Sequence, residues 1–407
     1  MTMDAMNEMP SPTIHPVSAR RVDDHYDVVI VGARAAGAAT AMLLARRGIS
    51  VLALDRAAYG SDTMSTHSLA PAGVRQLSRW GLLDPIREAG TPRVSTVVFH
   101  YGADEVRIPV PPRPGMDGLY SPRRTLLDPL LVDAAIDAGA HVRHGASVRH
   151  LTRRGDGRVD GVVVDIDGER RRIGARWVIG ADGMRSRVAA AVEAREIDRA
   201  AASIACVYSY WEGMPDDEIV TYYDPGRVVG IIPTNGGAVV WAGTRPERFE
   251  ELARGNPGAL HDALVAQRPE LAEVVQHASR VGRYTAFAGM RGWLREAWGA
   301  GWVLVGDSAY FKDPVTAHGI TDAFIGAELV ADAVAEVVAG RAEEHEALGR
   351  YQRLRDGLAC RMLPAASRAA ELPDDTSEVM AAFMEMNGAL GAEWALIDEQ
   401  FAIPAAV

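Results

Sequence analysis

At 407 residues and 48% hydrophobic content the chain exceeds one ordinary hydrophobic core, so two closely packed domains are expected. A formal charge of −11 argues against nucleic acid and anionic membrane surfaces as partners. No apolar run approaches the roughly 20 residues of a bilayer span, and the N-terminal stretch lacks a signal-peptide core, so a cytoplasmic location without integral membrane association is expected.

Residues 1 to 24 mix Pro, Met, Ser and charge without period and read as a disordered tail. From Tyr26 to Arg56 runs a βαβ unit. Residues 27 to 31 form a buried strand, Gly32 opens a tight turn, residues 35 to 47 form a helix ending at Gly48, and residues 51 to 54 form a second strand. The glycines follow the pattern G-x-R-x-x-G, with Arg34 at the usual second glycine and Gly37 where helix and strand must pack closely. Helix N–H groups near Ala35 and Ala36 suit a pyrophosphate, and Asp55, followed by Arg56, stands where a ribose hydroxyl needs an acceptor. Arg34 is expected to add charge to this dinucleotide cradle.

Ser, Thr and Gly then cluster before a helix at 71 to 80. Thr63, Ser65, Thr66 and His67 either line the cofactor or form a plain polar connection. Residues 94 to 109 alternate as strands, and the Pro-rich stretch 110 to 115 breaks them. A helix beginning near Arg124 carries Leu127, Leu130, Leu131 and Ala134 on one face. Arg123 and Arg124 sit at its start, where the helix dipole disfavours cations. They imply an anionic partner, unless they are simply solvent-exposed.

Strands follow at 141 to 144, 158 to 165 and 170 to 173. A further strand at 177 to 179 leads through the turn 180 to 183 into a helix from about Ser186. From 202 to 243 the alternation marks an antiparallel sheet bearing Tyr208, Tyr210, Trp211, Tyr222, Tyr223 and Trp241. Of these Tyr208, Tyr210 and Tyr222 are candidates for a pocket wall, the other reading being packing under two helices between 246 and 277. At Trp302 a buried strand returns and ends at Asp307. A loop around Pro314 leads into a long helix at 319 to 338, then a helix at 341 to 361 and a helical tail. Cys206 and Cys360 lack the spacing of metal ligands or a redox pair and are expected free and buried. Lys312 is the single lysine among 43 basic residues.

The three turns, Gly32 to Gly37 with Asp55, Gly180-Ala181-Asp182-Gly183 with Ser186, and Gly306-Asp307 with Pro314 and Gly319, resemble in order and separation those of one family. It is the FAD-dependent monooxygenase superfamily of the para-hydroxybenzoate hydroxylase type, which includes geranylgeranyl reductases and flavin-dependent halogenases. The resemblance implies an α/β fold with a Rossmann-like FAD-binding domain (25 to 93, 116 to 195, 291 to 340). Interleaved with it would be an antiparallel β-sheet substrate domain (94 to 115, 196 to 290), followed by C-terminal helices (341 to 407).

It also implies roles. Asp55 would hold the adenosine ribose, Arg124 the FAD chain, and Asp307 the ribityl hydroxyls. Asp182 would serve flavin and nicotinamide contacts, and Pro314, Ala317, His318, Gly319 and Ile320 would line the flavin, with the helix N-terminus at its N1–C2=O edge. His318 departs from the family's usual neutral residue and either tunes the flavin or relays a proton, or is a packed neutral imidazole.

The implied activity is NAD(P)H-driven oxygenation, through a C4a-hydroperoxyflavin, of an apolar, aromatic or polycyclic small molecule, with O2 as co-substrate and a monomer or homodimer as the assembly. The alternatives are a reductase of the geranylgeranyl reductase type and a flavin-binding protein without turnover. Halogenation ranks last, because the halogenase Trp-x-Trp-x-Ile-Pro segment is absent and Lys312 lies in the third-motif loop.

Overall fold

The computed structural model describes residues 24–253 and 255–401. The tail expected at 1 to 24 lies outside the described residues except for Asp24. Five parallel strands form the centre of the larger sheet, in the spatial order Trp302–Leu304, Glu169–Gly180, His25–Val31, Val51–Leu54, His141–Arg143. The continuous apolar runs read from sequence account for this, since strands covered on both faces need no polar alternation. The first helix, Ala35–Ala45, and the long helix Gly319–Val338 pack on one face, in a core containing Ile30, Met42, Leu44, Phe324 and Val330.

The strand Glu169–Gly180 departs from expectation. Two strands were read here, at 170 to 173 and 177 to 179, whereas one twelve-residue strand is present. Its first half pairs antiparallel with Val159–Ile166, and its second half pairs parallel with His25–Val31 and Trp302–Leu304. The apolar pattern changes where the partner changes, and this mimics a break. Ser147–Arg153, which had not been read as a strand, pairs with Val159–Ile166.

A seven-stranded sheet forms the second layer. It consists of Ser279–Phe287, Ala205–Glu212, Gly237–Thr244, Arg227–Thr234, Glu218–Asp224, Thr96–Tyr101 and Asp104–Pro109 in that order. Its pairings are antiparallel except where Glu218–Asp224 meets Thr96–Tyr101 in parallel. Three helices rather than two follow it, Pro246–Ala253, Pro257–Val265 and Pro269–Gln276. Each starts on a proline, as suits a first helical turn. The chain closes with Glu344–Ala370 and Thr376–Gln400.

Candidate cofactor and substrate site

The parallel strands end in one row, Arg143, Leu54, Val31, Gly180 and Leu304 being neighbours across the sheet. Gly32, Asp55, His144, Asp182 and Asp307 therefore stand along a single edge, where open α/β sheets bind ligands. Asp55 and Asp307, 252 positions apart in sequence, share it. Gly32 lies at φ +101°, and a Cβ there would come within 2.4 Å of the Ala181 carbonyl, so first and second turns touch backbone to backbone. At Gly37 a Cβ would meet the Gly32 carbonyl at 1.9 Å.

Asp55 is buried. Its carboxylate accepts the Ala33 and Ala57 N–H groups, each at 2.8 Å, and so fixes the first turn. The helix Ala35–Ala45 begins with neither a side-chain cap nor an acidic residue in its first turn, which leaves its N-terminal donors free for an anion.

Arg34 donates to Ser61 O at 3.0 Å, Ser61 Oγ at 3.1 Å and Asp128 Oδ2 at 3.0 Å. Arg124 grips the same carboxylate, Nε to Oδ1 at 2.8 Å and Nη2 to Oδ2 at 3.0 Å. Two guanidinium groups thus share one buried carboxylate, which leaves a surplus positive charge beside the first turn. The solvent-exposed reading of the arginine pair is corrected here. Arg124 is buried on Asp128, and Arg123 stacks 4.1 Å from the Tyr210 ring centroid.

Asp182 serves its own helix. It accepts Ser186 Oγ at 2.5 Å, Arg187 N at 2.6 Å and Val188 N at 3.2 Å, and so caps the short helix Arg187–Ala191. Asp307 is pushed up to about 7, chiefly by burial and then by the Asp322 carboxylate, against the pull of Arg124 and Lys312. Gly319, at the start of the long helix, faces it, since a Cβ there would lie 3.8 Å from Asp307 Oδ1.

The loop before the second helix is tied to the seven-stranded sheet. Ser65 N donates to Tyr208 Oη at 3.3 Å, and the Ser65 hydroxyl accepts the His67 N–H at 3.0 Å. His67, buried at φ +63°, lies 2.9 Å from Tyr210 Oη through Nε2. Burial, Arg124 and Arg123 push its imidazole down to about 3, so it is neutral. Thr63, Ser65 and Thr66 are part-exposed, and Arg56 is exposed.

Tyr222 is a correction. Tyr208 and Tyr210 share a face with Trp241, Val239 and Ile232, whereas Tyr222 is in register with Val229 and lies on the opposite face. There it stacks on His100 at 4.4 Å and takes the Arg268 guanidinium at 4.7 Å. Strand alternation puts it outside any pocket formed with Tyr208 and Tyr210. Cys360 likewise is exposed rather than buried.

Between the turns and the sheet's inner face lies a cluster that the sequence reading missed: Phe287, Trp293 and Phe311, packed with Met64, Met184, Cys206 and Met290. Met184 directly follows the second turn, Phe311 lies within the third motif, and Met64 sits in the loop that follows Asp55. His144 was missed as well. Among the described residues neither ring nitrogen makes a well-formed hydrogen bond, and the residue lines a hollow with Ala33, Arg34, Asp55, Tyr59 and Asp128. Its position directly after a parallel strand was the available signal.

In the third motif Asp313, pushed up to about 7 by burial, accepts Val315 N at 2.9 Å and Ile204 N at 2.8 Å, joining this loop to the sheet. Pro314 and Ala317 are part-exposed, Gly319 is exposed and Ile320 is buried. His318 is buried, its Nδ1 bonded to Lys312 and Asp322 and its Nε2 at ion-pair distance from Glu393.

A family model described as an FAD binding domain matches residues 25–366. Digeranylgeranylglycerophospholipid reductase 2 of Methanopyrus kandleri is 26% identical over 340 residues, 80% of this chain and 81% of that protein. The 3-amino-4-hydroxybenzoate 2-monooxygenase of Streptomyces cremeus is 28% identical over 380 residues, covering 87% and 90%. Among solved structures, a myxobacterial chondrochloren halogenase superposes with a TM-score of 0.78 at 23% identity, covering 93% of each chain, a likeness of fold. No helix among the described residues is long and apolar enough to cross a membrane.

Proposed function

Because this chain belongs to the FAD binding domain family, a family of FAD-dependent oxidoreductases, we propose that it is a monooxygenase of an apolar, aromatic or polycyclic small molecule, with NAD(P)H as reductant. FAD, when bound, supplies two-electron transfer and oxygen activation. The edge described above suits that cofactor. Free amides at Ala35, Ala36 and Gly37 and the surplus charge of Arg34 and Arg124 would take the pyrophosphate, and Asp55 the ribose. Asp307 would take the ribityl hydroxyls, and Ser65, Thr66, Pro314, Ala317, Gly319 and Ile320 would flank the flavin, with His318 behind them. Asp182 enters as the cap that sets the second turn.

The observation that carries the oxygenase reading is the cluster of Phe287, Trp293 and Phe311 with Met64, Met184 and Met290 between the motif segments and the sheet. Such a wall excludes water, as oxygen transfer requires, and methionines adapt to flat apolar substrates. Tyr208 and Tyr210 stand on the same sheet face.

Reduction of a polyprenyl-like double bond is the second reading, favoured by the reductase relative that spans 80% of the chain. Turnover of an aromatic and polyprenyl substrate panel with NAD(P)H under 18O2 separates the two. Incorporation of one labelled oxygen supports oxygenation. Product gaining two hydrogens under nitrogen, with no label under 18O2, overturns it in favour of the reductase.

A further inference from the structure

Behind the N-terminus of the long helix Gly319–Val338 lies a buried group of four titratable side chains. Lys312 Nζ bonds the Asp322 carboxylate and stands 3.0 Å from His318 Nδ1. His318 Nδ1 is 3.2 Å from Asp322 Oδ1, and its Nε2 is 2.9 Å from Oε2 of Glu393 on the closing helix. Lys312, His318 and Glu393 are 4%, 2% and 2% exposed. The cation among these groups is the Lys312 ammonium.

Charge counting gives the cluster two states. With a neutral imidazole, Lys312 donates to Nδ1 and one cation faces two anions, a net charge of about −1. With an imidazolium, Nδ1–H donates to Asp322, the ring's charge faces Glu393 at ion-pair distance, and the net charge is about zero. Lys312 and Asp322 both meet Nδ1, and Glu393 faces Nε2 at ion-pair distance, so an added proton enters among groups already in place to meet its charge. Burial alone would keep the ring uncharged, but Glu393 and Asp322 outweigh it and Lys312, and raise the imidazole above its ordinary value.

The surrounding elements add few other charges. Asp307 interacts with Asp322 and Lys312 from the turn after Trp302–Leu304, and Arg355 and Cys360 of Glu344–Ala370 reach only as far as Tyr310. His318 is the N-cap residue of a helix whose first-turn acid, Asp322, is already paired with Lys312. The helix end therefore attracts negative charge arriving from the cofactor side.

We propose that His318 is a charge-compensating residue that takes up one proton when the bound flavin is reduced and returns it on reoxidation. The inference rests on the FAD reading. In the balance, two electrons enter with two protons; one proton goes to flavin N5, leaving an anionic ring, and the second goes to His318. His318 acts on the cofactor through the helix terminus and is a positioning residue.

The test is a spectroelectrochemical titration of the FAD-loaded full chain between pH 7 and pH 8.5, above the ordinary imidazole range. In the wild type the reduction equilibrium should shift about a hundredfold per pH unit, about 59 mV for two electrons, and in His318→Gln and Glu393→Gln about tenfold, about 30 mV. A tenfold slope in the wild type overturns the proposal whether or not the variants fold. So does a hundredfold slope that survives His318→Gln, because the second proton then sits on the flavin itself. A chain that takes up no FAD is recognised by the absence of any flavin spectrum, and it overturns the cofactor reading together with this one.

Discussion

Asp307 and Asp55 occupy equivalent places at strand ends, yet their surroundings differ. With Asp307 raised to about 7 against an unfolded value of about 3.9, the native chain binds more protons than the unfolded chain between those limits. Stability therefore falls as pH rises through that window, and the loss is complete above it. Asp307→Asn removes the penalty: without FAD its Tm should exceed that of the wild type at pH 8, by an amount on the order of 2–4 kcal/mol in stability, and the gap should close towards pH 4. Thermal scans across that range check it. Asp55 is held by two backbone donors, and its removal leaves both unsatisfied. Asp55→Ala should weaken FAD binding roughly ten- to hundredfold, as read by quenching of flavin fluorescence.

At the level of elements, the loop from Lys312 to Gly319 carries strain. Ala317 adopts φ +50°, ψ 33°, a left-handed conformation that costs a residue with a Cβ about 1 kcal/mol. Ala317→Gly should relieve it and raise stability by up to about 1 kcal/mol in urea titrations. The local sequence did not announce this, because nothing in Val-Thr-Ala-His-Gly distinguishes a left-handed alanine from a helical one. By contrast, the βαβ unit, the strand leading to Asp307 and the helix Gly319–Val338 were legible, since apolar period, glycine and acid all point to one geometry there. The face of Tyr222 was not legible from composition. Facing is fixed by register against Val229, a pairing made by the hairpin rather than by the residue. The sharing of Asp128 by Arg34 and Arg124 escaped for a similar reason, since only the tertiary fold brings the residue before the first helix to the fifth residue of another.

For the whole molecule, the last two helices are part of the site rather than an appendage. Thr376–Gln400 supplies Glu393 to His318 and Asp398 to the buried Arg75, and its Trp394 lies under the Arg75 and Arg113 guanidinium groups. With Glu344–Ala370 it also closes an apolar layer of Met362, Val379 and Met386 against Tyr101 and Tyr223. Ending the chain after Leu372 should therefore strip FAD during gel filtration, read as loss of the 450 nm absorbance, and lower Tm. Retention of the colour would show that the cradle stands alone. The solitary lysine has a practical corollary. Because its amine is walled off in the native fold, acylating reagents should leave it unmodified until the molecule opens, so the rate at which Lys312 gains mass reports how often that happens.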